Sequence, residues 1–153
     1  MGAAALFIRR TDSPDWNNAF INFDYKDLFV APNYQITNLW YDNFSKYRLD
    51  YHGQTDEVSV TTTMSENGRD IIVKVVNPTN KTYKLNTKGN WRGLSNAKYD
   101  YYAPGDLMKA NSMENKDAVE LKHKTPTIND NAAILEVEPY SAGVMRLELK
   151  KAE

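Results

Sequence analysis

Carboxylates are the first residues in this chain that could do chemistry, because the other reactive side chains are nearly missing. The 153 residues include no cysteine and two histidines, which removes disulfides, thiolate metal sites and cysteine nucleophiles. His52 and His123 are far apart, and neither has a carboxylate or second imidazole at helix-ligand spacing. A serine triad would need one of them, and no Gly-x-Ser-x-Gly elbow accompanies either. The seven glycines are scattered singly, so no phosphate-cradling loop is expected. No metal and no cofactor follow from these patterns. Cleavage of a glycosidic bond needs only two carboxyl groups, about 5–5.5 Å apart for retention or about 6.5–9.5 Å for inversion. Asp12, Asp15 and Asp24 flank the first apolar runs. Their simpler roles are turn capping for Asp12 and Asp15 and a strand end for Asp24. Glu136 and Glu138 fall on the expected solvent face of an alternating strand.

Aromatic side chains are the second candidates. Ten tyrosines stand against five phenylalanines, a bias that suits half-wet sheet faces and carbohydrate contacts, although β propensity alone explains it more simply. Trp91, Tyr99, Tyr101 and Tyr102 are the candidate sugar-binding aromatics. On an alternating strand Tyr99 and Tyr101 share one face and Tyr102 takes the other. Asn43-Phe44-Ser45 and Asn80-Lys81-Thr82 match the glycosylation acceptor pattern, a weak signal in an Asn-rich chain.

The elements that must position these residues change character along the chain. Leu6-Phe7-Ile8 and Phe20-Ile21-Asn22-Phe23 are short apolar runs of strand type, separated by turn residues at Thr11-Asp12-Ser13-Pro14-Asp15. Pro32 suits a helix's first turn, and Ile36, Leu39, Trp40, Phe44 and Tyr47 then recur at spacings of three and four, predicting one amphipathic helix with an aromatic inner stripe. From about residue 48 the period becomes two. Val58, Val60 and Thr62 alternate with Ser59, Thr61 and Thr63; Asn67-Gly68 marks a tight hairpin; and Ile71 to Val76 returns. Strands are further predicted at Tyr83–Asn86, Tyr99–Tyr102, Ala118–Leu121, Ile134–Glu138 and Val144–Leu149, with turns between. Six or seven short strands of this kind predict a sandwich.

Charge and length narrow the function classes. Nineteen basic and twenty acidic residues leave a net charge of −1, so no field favours nucleic acid or an anionic membrane. No apolar run approaches the roughly 20 residues needed to span a bilayer. Met1 to Phe7 is too short for a signal peptide and lacks a basic n-region. The compartment stays open: cytoplasm, periplasm and exterior are all compatible.

Several of these motifs together resemble a known family. Leu6-Phe7-Ile8-Arg9-Arg10-Thr11-Asp12, Trp16 to Asp24, Ala31-Pro32-Asn33-Tyr34 and Leu39-Trp40 resemble the end of the catalytic barrel in glycoside hydrolase family 51 α-L-arabinofuranosidases. The resemblance continues, in order, through Lys74-Val75-Val76-Asn77-Pro78-Thr79, Asn111-Ser112-Met113-Glu114-Asn115 with Asp117-Ala118-Val119, and Pro139-Tyr140-Ser141-Ala142-Gly143-Val144. It implies a mainly β chain in which residues 1–47 match the last βα unit of a (β/α)8 barrel. Residues 48–153 would form an antiparallel, jelly-roll-like C-terminal β-sandwich.

The resemblance also implies what is lacking. The family's acid/base follows Asn on an earlier barrel strand and its nucleophile is a Glu on a later one, both upstream of the matched region. This chain has no Asn-Glu dipeptide, so no catalytic residue is assigned, and activity of the chain alone stays open. In such barrels the loop from Thr11 to Asn18 would border the sugar pocket, making Trp16 and Asn17 rim candidates. The expected partners are the rest of the arabinofuranosidase barrel or a second copy docked through the N-terminal helix, with an arabinose-containing oligosaccharide as ligand. The competing expectation is a freestanding carbohydrate-binding β-sandwich.

Overall fold

In the computed structural model, which describes residues 6–14, 19–53, 55, 57–91 and 93–150, the chain opens with β1 (Ile8–Arg10), β2 (Ile21–Phe23) and β3 (Leu28–Val30), followed by helix α1 (Pro32–Asp42). The remaining strands are β4 (Tyr47–Leu49), β5 (Ser59–Met64), β6 (Asp70–Asn77), β7 (Tyr83–Lys88), β8 (Leu94–Tyr102), β9 (Leu121–Lys124), β10 (Thr127–Asn129), β11 (Ala132–Val137) and β12 (Ser141–Leu149). The architecture is mainly β with antiparallel sheets, as predicted.

A six-stranded sheet in the order β4-β5-β6-β12-β8-β9 faces a three-stranded sheet, β10-β11-β7. Alternation decides which side chains meet between them. Ile71, Val73 and Val75 of β6, Ala97, Tyr99 and Tyr101 of β8, Met145 and Leu147 of β12, and Ala133, Leu135 and Val137 of β11 form one buried cluster. Each fully buried aliphatic side chain stabilises by about 1.5–3 kcal/mol. The β5–β6 hairpin forms where Asn67-Gly68 predicts it: Gly68 takes φ +68°, and Asn67 Oδ1 accepts from Ser65 Oγ and the Arg69 amide. Glycine is needed for a different reason at Gly143. A Cβ there would stand 2.4 Å from Tyr101 Cβ and 2.6 Å from the Asp100 carbonyl oxygen, so glycine lets β12 lie against β8.

The other face of the large sheet carries Ile72 and Val144, both buried, and α1 lies over it. Lys74 Nζ donates to the Trp40 carbonyl oxygen at 2.9 Å and sits 5.8 Å from the Trp40 ring centroid. Arg146 bridges Asp70 Oδ2 and Asn43 Oδ1, each at 3.0 Å. Two cations from the sheet thus hold the negative end of the helix. The helix stops at Asp42, earlier than the predicted stripe. Asn43 turns its amide back to the Leu39 carbonyl oxygen at 2.9 Å, and Tyr47 belongs to β4, paired with Met64. Phe44, expected on the inner stripe, is 72% exposed.

In front of α1, β1 and β2 run parallel and β3 returns antiparallel. Phe20 packs edge-on to Tyr34 of the helix, with ring centroids 6.0 Å apart. The strand predicted at Ala118–Leu121 begins only at Leu121, because Val119 is spent on a loop contact described below. The connection from β11 to β12 links different sheets, as does that from β6 to β7.

Candidate functional site

The two sheet-to-sheet corners meet at one buried asparagine. Asn77 Nδ2 donates to the Lys81 and Glu138 carbonyl oxygens at 2.7 and 2.9 Å, and its Oδ1 accepts from the Thr79 amide and hydroxyl at 3.0 and 2.9 Å. The Tyr140 amide, in a residue at φ +49°, donates to the Thr79 carbonyl oxygen at 2.9 Å. Both corner motifs singled out in the sequence therefore belong to one clasp.

A second buried asparagine joins the sandwich to the N-terminal segment. Asn111 Nδ2 donates to the Val30 carbonyl oxygen at 2.9 Å and to Gln35 Oε1 at 3.3 Å, while its Oδ1 accepts from the Val119 amide at 2.8 Å. Lys116 adds an ion pair to Asp27. Between α1 and the sheet lies an open groove of about 310 Å3, lined by Pro32, Ile36, Val76, Tyr102, Leu107 and Tyr140 among others.

The candidate sugar-binding aromatics divide. Tyr99 is 0% exposed and Tyr101 5%, stacked on each other with centroids 4.7 Å apart. Their rings are core, and neither offers an open face to a ligand, which corrects the expectation for these two. Trp91 packs against the same core, over Gly89. Tyr102, on the opposite face, lines the groove beside α1. Trp16 and Asn17 lie outside the described residues, as does Asp15.

Glu138 was expected on a solvent face. Instead it follows β11 and accepts from Tyr101 Oη at 2.5 Å, with Lys122 Nζ 3.3 Å away and Lys124 Nζ 3.9 Å away. Burial pushes its carboxyl up, but the Tyr101 hydroxyl and the two ammoniums outweigh that and hold it below its ordinary value. Burial, with the hydroxyl's bond to Glu138, raises Tyr101 to about 12. A carboxyl held ionised in this way is suited to pinning the two sheets, not to donating a proton to a leaving group. The pattern of alternation could not reveal this, because the contact joins residues 37 apart.

At the carboxyl ends of β1 and β2, the Thr11 amide donates to the Phe23 carbonyl oxygen at 2.9 Å. Asp12 accepts from Arg10 Nε at 2.6 Å; the hydrogen bond and charge of Arg10 lower its pKa. Asp24 Oδ1 accepts from the amides of Lys26 and Asp27 at 2.7 and 2.8 Å. Asp24 thus stands at a strand end and caps the turn that follows, while Asp12, expected to cap a turn, pairs with Arg10 among the described residues. His123 is an exposed edge residue whose Nδ1 lies 2.7 Å from Asp100 Oδ1 across β8 and β9. Among the described residues no group of three or more His, Asp or Glu is placed to hold a metal ion.

A two-sheet antiparallel sandwich with a helix on its outer face and a parallel strand pair ahead of that helix defines the class of fold. Solved structures place that fold within a portion of family 51 α-L-arabinofuranosidases, in keeping with the C-terminal portion the sequence resemblance implies. An arabinose-bound MgGH51 α-L-arabinofuranosidase matches with TM-score 0.84 at 14% identity, over 95% of this chain and 24% of that one. The Thermotoga maritima α-L-arabinofuranosidase in its arabinose complex matches with TM-score 0.77 at 18% identity, over 86% and 32%. The catalytic domain of GH30 xylanase C from Talaromyces cellulolyticus also matches, with TM-score 0.61 at 13% identity, over 86% and 27%. The chain therefore spans about a quarter to a third of the length of these proteins, and the likeness at such identities is one of fold. No protein-family model matches the sequence, and no curated protein does.

Proposed function

We propose that this chain is the C-terminal accessory part of an α-L-arabinofuranosidase. In this reading residues 1–47 are the terminal βα segment of the barrel and residues 48–153 the sandwich that braces it. The whole enzyme would release terminal α-L-arabinofuranosyl groups from arabinoxylan or arabinan with retention, using two glutamates carried by the earlier barrel strands. The observation that carries the reading is that 85–95% of the chain superposes on a quarter to a third of each arabinofuranosidase. The clasp at Asn111 and the cations on α1 support it, since a brace must be fixed to what it supports. The remaining barrel units are the partner this reading names.

The test is hydrolysis of an aryl α-L-arabinofuranoside by the purified chain beside a mock purification from the same host. The expected result is no release above the mock. Turnover above it would overturn the accessory reading and turn attention to Asp12 and Asp24.

A further inference from the structure

We propose that Asn67 is a site of self-modification, where the side-chain amide is lost to attack by the next main-chain nitrogen, and that the folded turn governs the rate. Asn67-Gly68 is the single Asn-Gly pair in the chain, and both residues are exposed. The chemistry is independent of the accessory reading above.

The reaction needs no partner but water. The Gly68 nitrogen bonds to Asn67 Cγ, the Cγ–Nδ2 bond breaks, and ammonia leaves with the proton from Gly68, closing a succinimide. Water then opens the ring at either carbonyl to give aspartate or isoaspartate. Glycine hinders the approach least, because it has no Cβ and a permissive backbone.

Hydrogen bonds restrain both reactants in the native hairpin. The Gly68 amide donates to the Ser65 carbonyl oxygen at 2.9 Å, a bond the attacking nitrogen must give up before it can lose its proton. Asn67 Oδ1 accepts from Ser65 Oγ at 2.8 Å and from the Arg69 amide at 3.0 Å, which fixes the carboxamide. Ser65 Oγ is itself held, since it accepts from the Asp70 amide at 2.9 Å. The chemistry therefore waits on local opening of the turn.

The product acts beyond the turn. Isoaspartate lengthens the main chain by one methylene, and the residues that follow are fastened at two places. The Arg69 carbonyl oxygen accepts from the Leu149 amide at 2.8 Å, and Asp70 carries the ion pair to Arg146 that holds α1. The new carboxylate also joins Asp70 and Glu148 on one open cleft, where like charges repel.

Peptide mapping by mass spectrometry, with aspartate and isoaspartate forms separated, tests this on the full chain held in water and in denaturing urea at one pH and temperature. In urea, conversion at Asn67 should precede that at every other asparagine; in the native chain it should be at least about tenfold slower. Ser65→Ala should speed the native reaction about threefold or more and leave the rate in urea unchanged, while Ser65→Thr, which keeps the hydroxyl, should stay slow. The isolated isoaspartate form should unfold at a lower urea concentration than the parent. Equal rates in water and urea, a native rate unmoved by Ser65→Ala, or earlier conversion at another asparagine in urea would each overturn the proposal. An unchanged midpoint for the isoaspartate form would overturn its effect on the sheet.

Discussion

At the scale of single residues, the carboxamide of Asn77 ties Lys81, Thr79 and Glu138 together through four hydrogen bonds in a site 1% exposed. Asn77→Ala would strand the Lys81 carbonyl and the Thr79 amide, while the Glu138 carbonyl keeps the Ser141 hydroxyl at 2.6 Å; each buried polar group left unpaired costs about 1–3 kcal/mol. The expected loss is about 3 kcal/mol, seen as a lower urea midpoint at an unchanged slope. Asn77→Asp should not rescue it, because a carboxylate would face the Lys81 and Glu138 carbonyl oxygens. Gly143→Ala should destabilise for a steric reason, since the two nearest atoms it meets on β8 are a Cβ and a backbone oxygen, and the third is on the fully buried Tyr99 ring. A loss of about 1–3 kcal/mol in the same urea experiment is expected. The sequence marked the Asn77 corner as a turn, which it is. Its buried role was not legible, because the Glu138 carbonyl it binds lies 61 residues away.

The scale of elements shows the same division between local and distant causes. The β5–β6 hairpin was legible because its alternation and its Asn-Gly turn are both local. The start of α1 was legible too, since Pro32 supplies the fixed φ of a first helical residue and stands there in the structure. Its end was not: Phe44 and Tyr47 keep the helical spacing, yet Asn43 closes the last turn and Tyr47 pairs with β5. The strands β3, β4 and β10 went unpredicted for a related reason. Each is three residues long, too short to show a period, and exists through pairing with a neighbour. Arg146 tests how the helix is held. Arg146→Gln keeps much of the stem but loses the ion pair to Asp70, so a cost of about 1–2 kcal/mol is expected for this partly exposed pair. Trp40 emission should shift to the red as the helix end loosens, and unchanged emission would mean that Lys74 alone seats it.

Across the whole molecule, the tyrosines of the core are expected to limit the stability of the sandwich at alkaline pH. Tyr101 is raised from its ordinary value of 10.0 to about 12, and Tyr99 and Tyr102 are raised by burial in the same direction. A group whose folded value is raised contributes stability fully below its unfolded value and loses it as pH rises through the folded one. The alkaline limb should therefore fall between pH 10 and about 12. Glu138 has the opposite sign. Its folded value lies below the ordinary 4.5, so its contribution is present above that pH and lost as pH falls through the folded value. The urea midpoint should stay level between about pH 6 and 9 and decline on both sides. Glu138→Gln should shallow the acid limb, keeping an oxygen to accept from Tyr101 Oη but losing the pairs with Lys122 and Lys124, and Tyr101→Phe should shallow the alkaline limb at the cost of the cross-sheet hydrogen bond. An acid limb unchanged in Glu138→Gln would assign the acid loss to the other carboxylates whose folded values are lowered, Asp12, Asp27, Glu57 and Glu114. The first two lie in the N-terminal segment and the other two in the sandwich. Comparing the limbs by Trp40 emission and by the amide signals of β11 then shows whether acid opens the sandwich itself or first releases the segment it is proposed to brace.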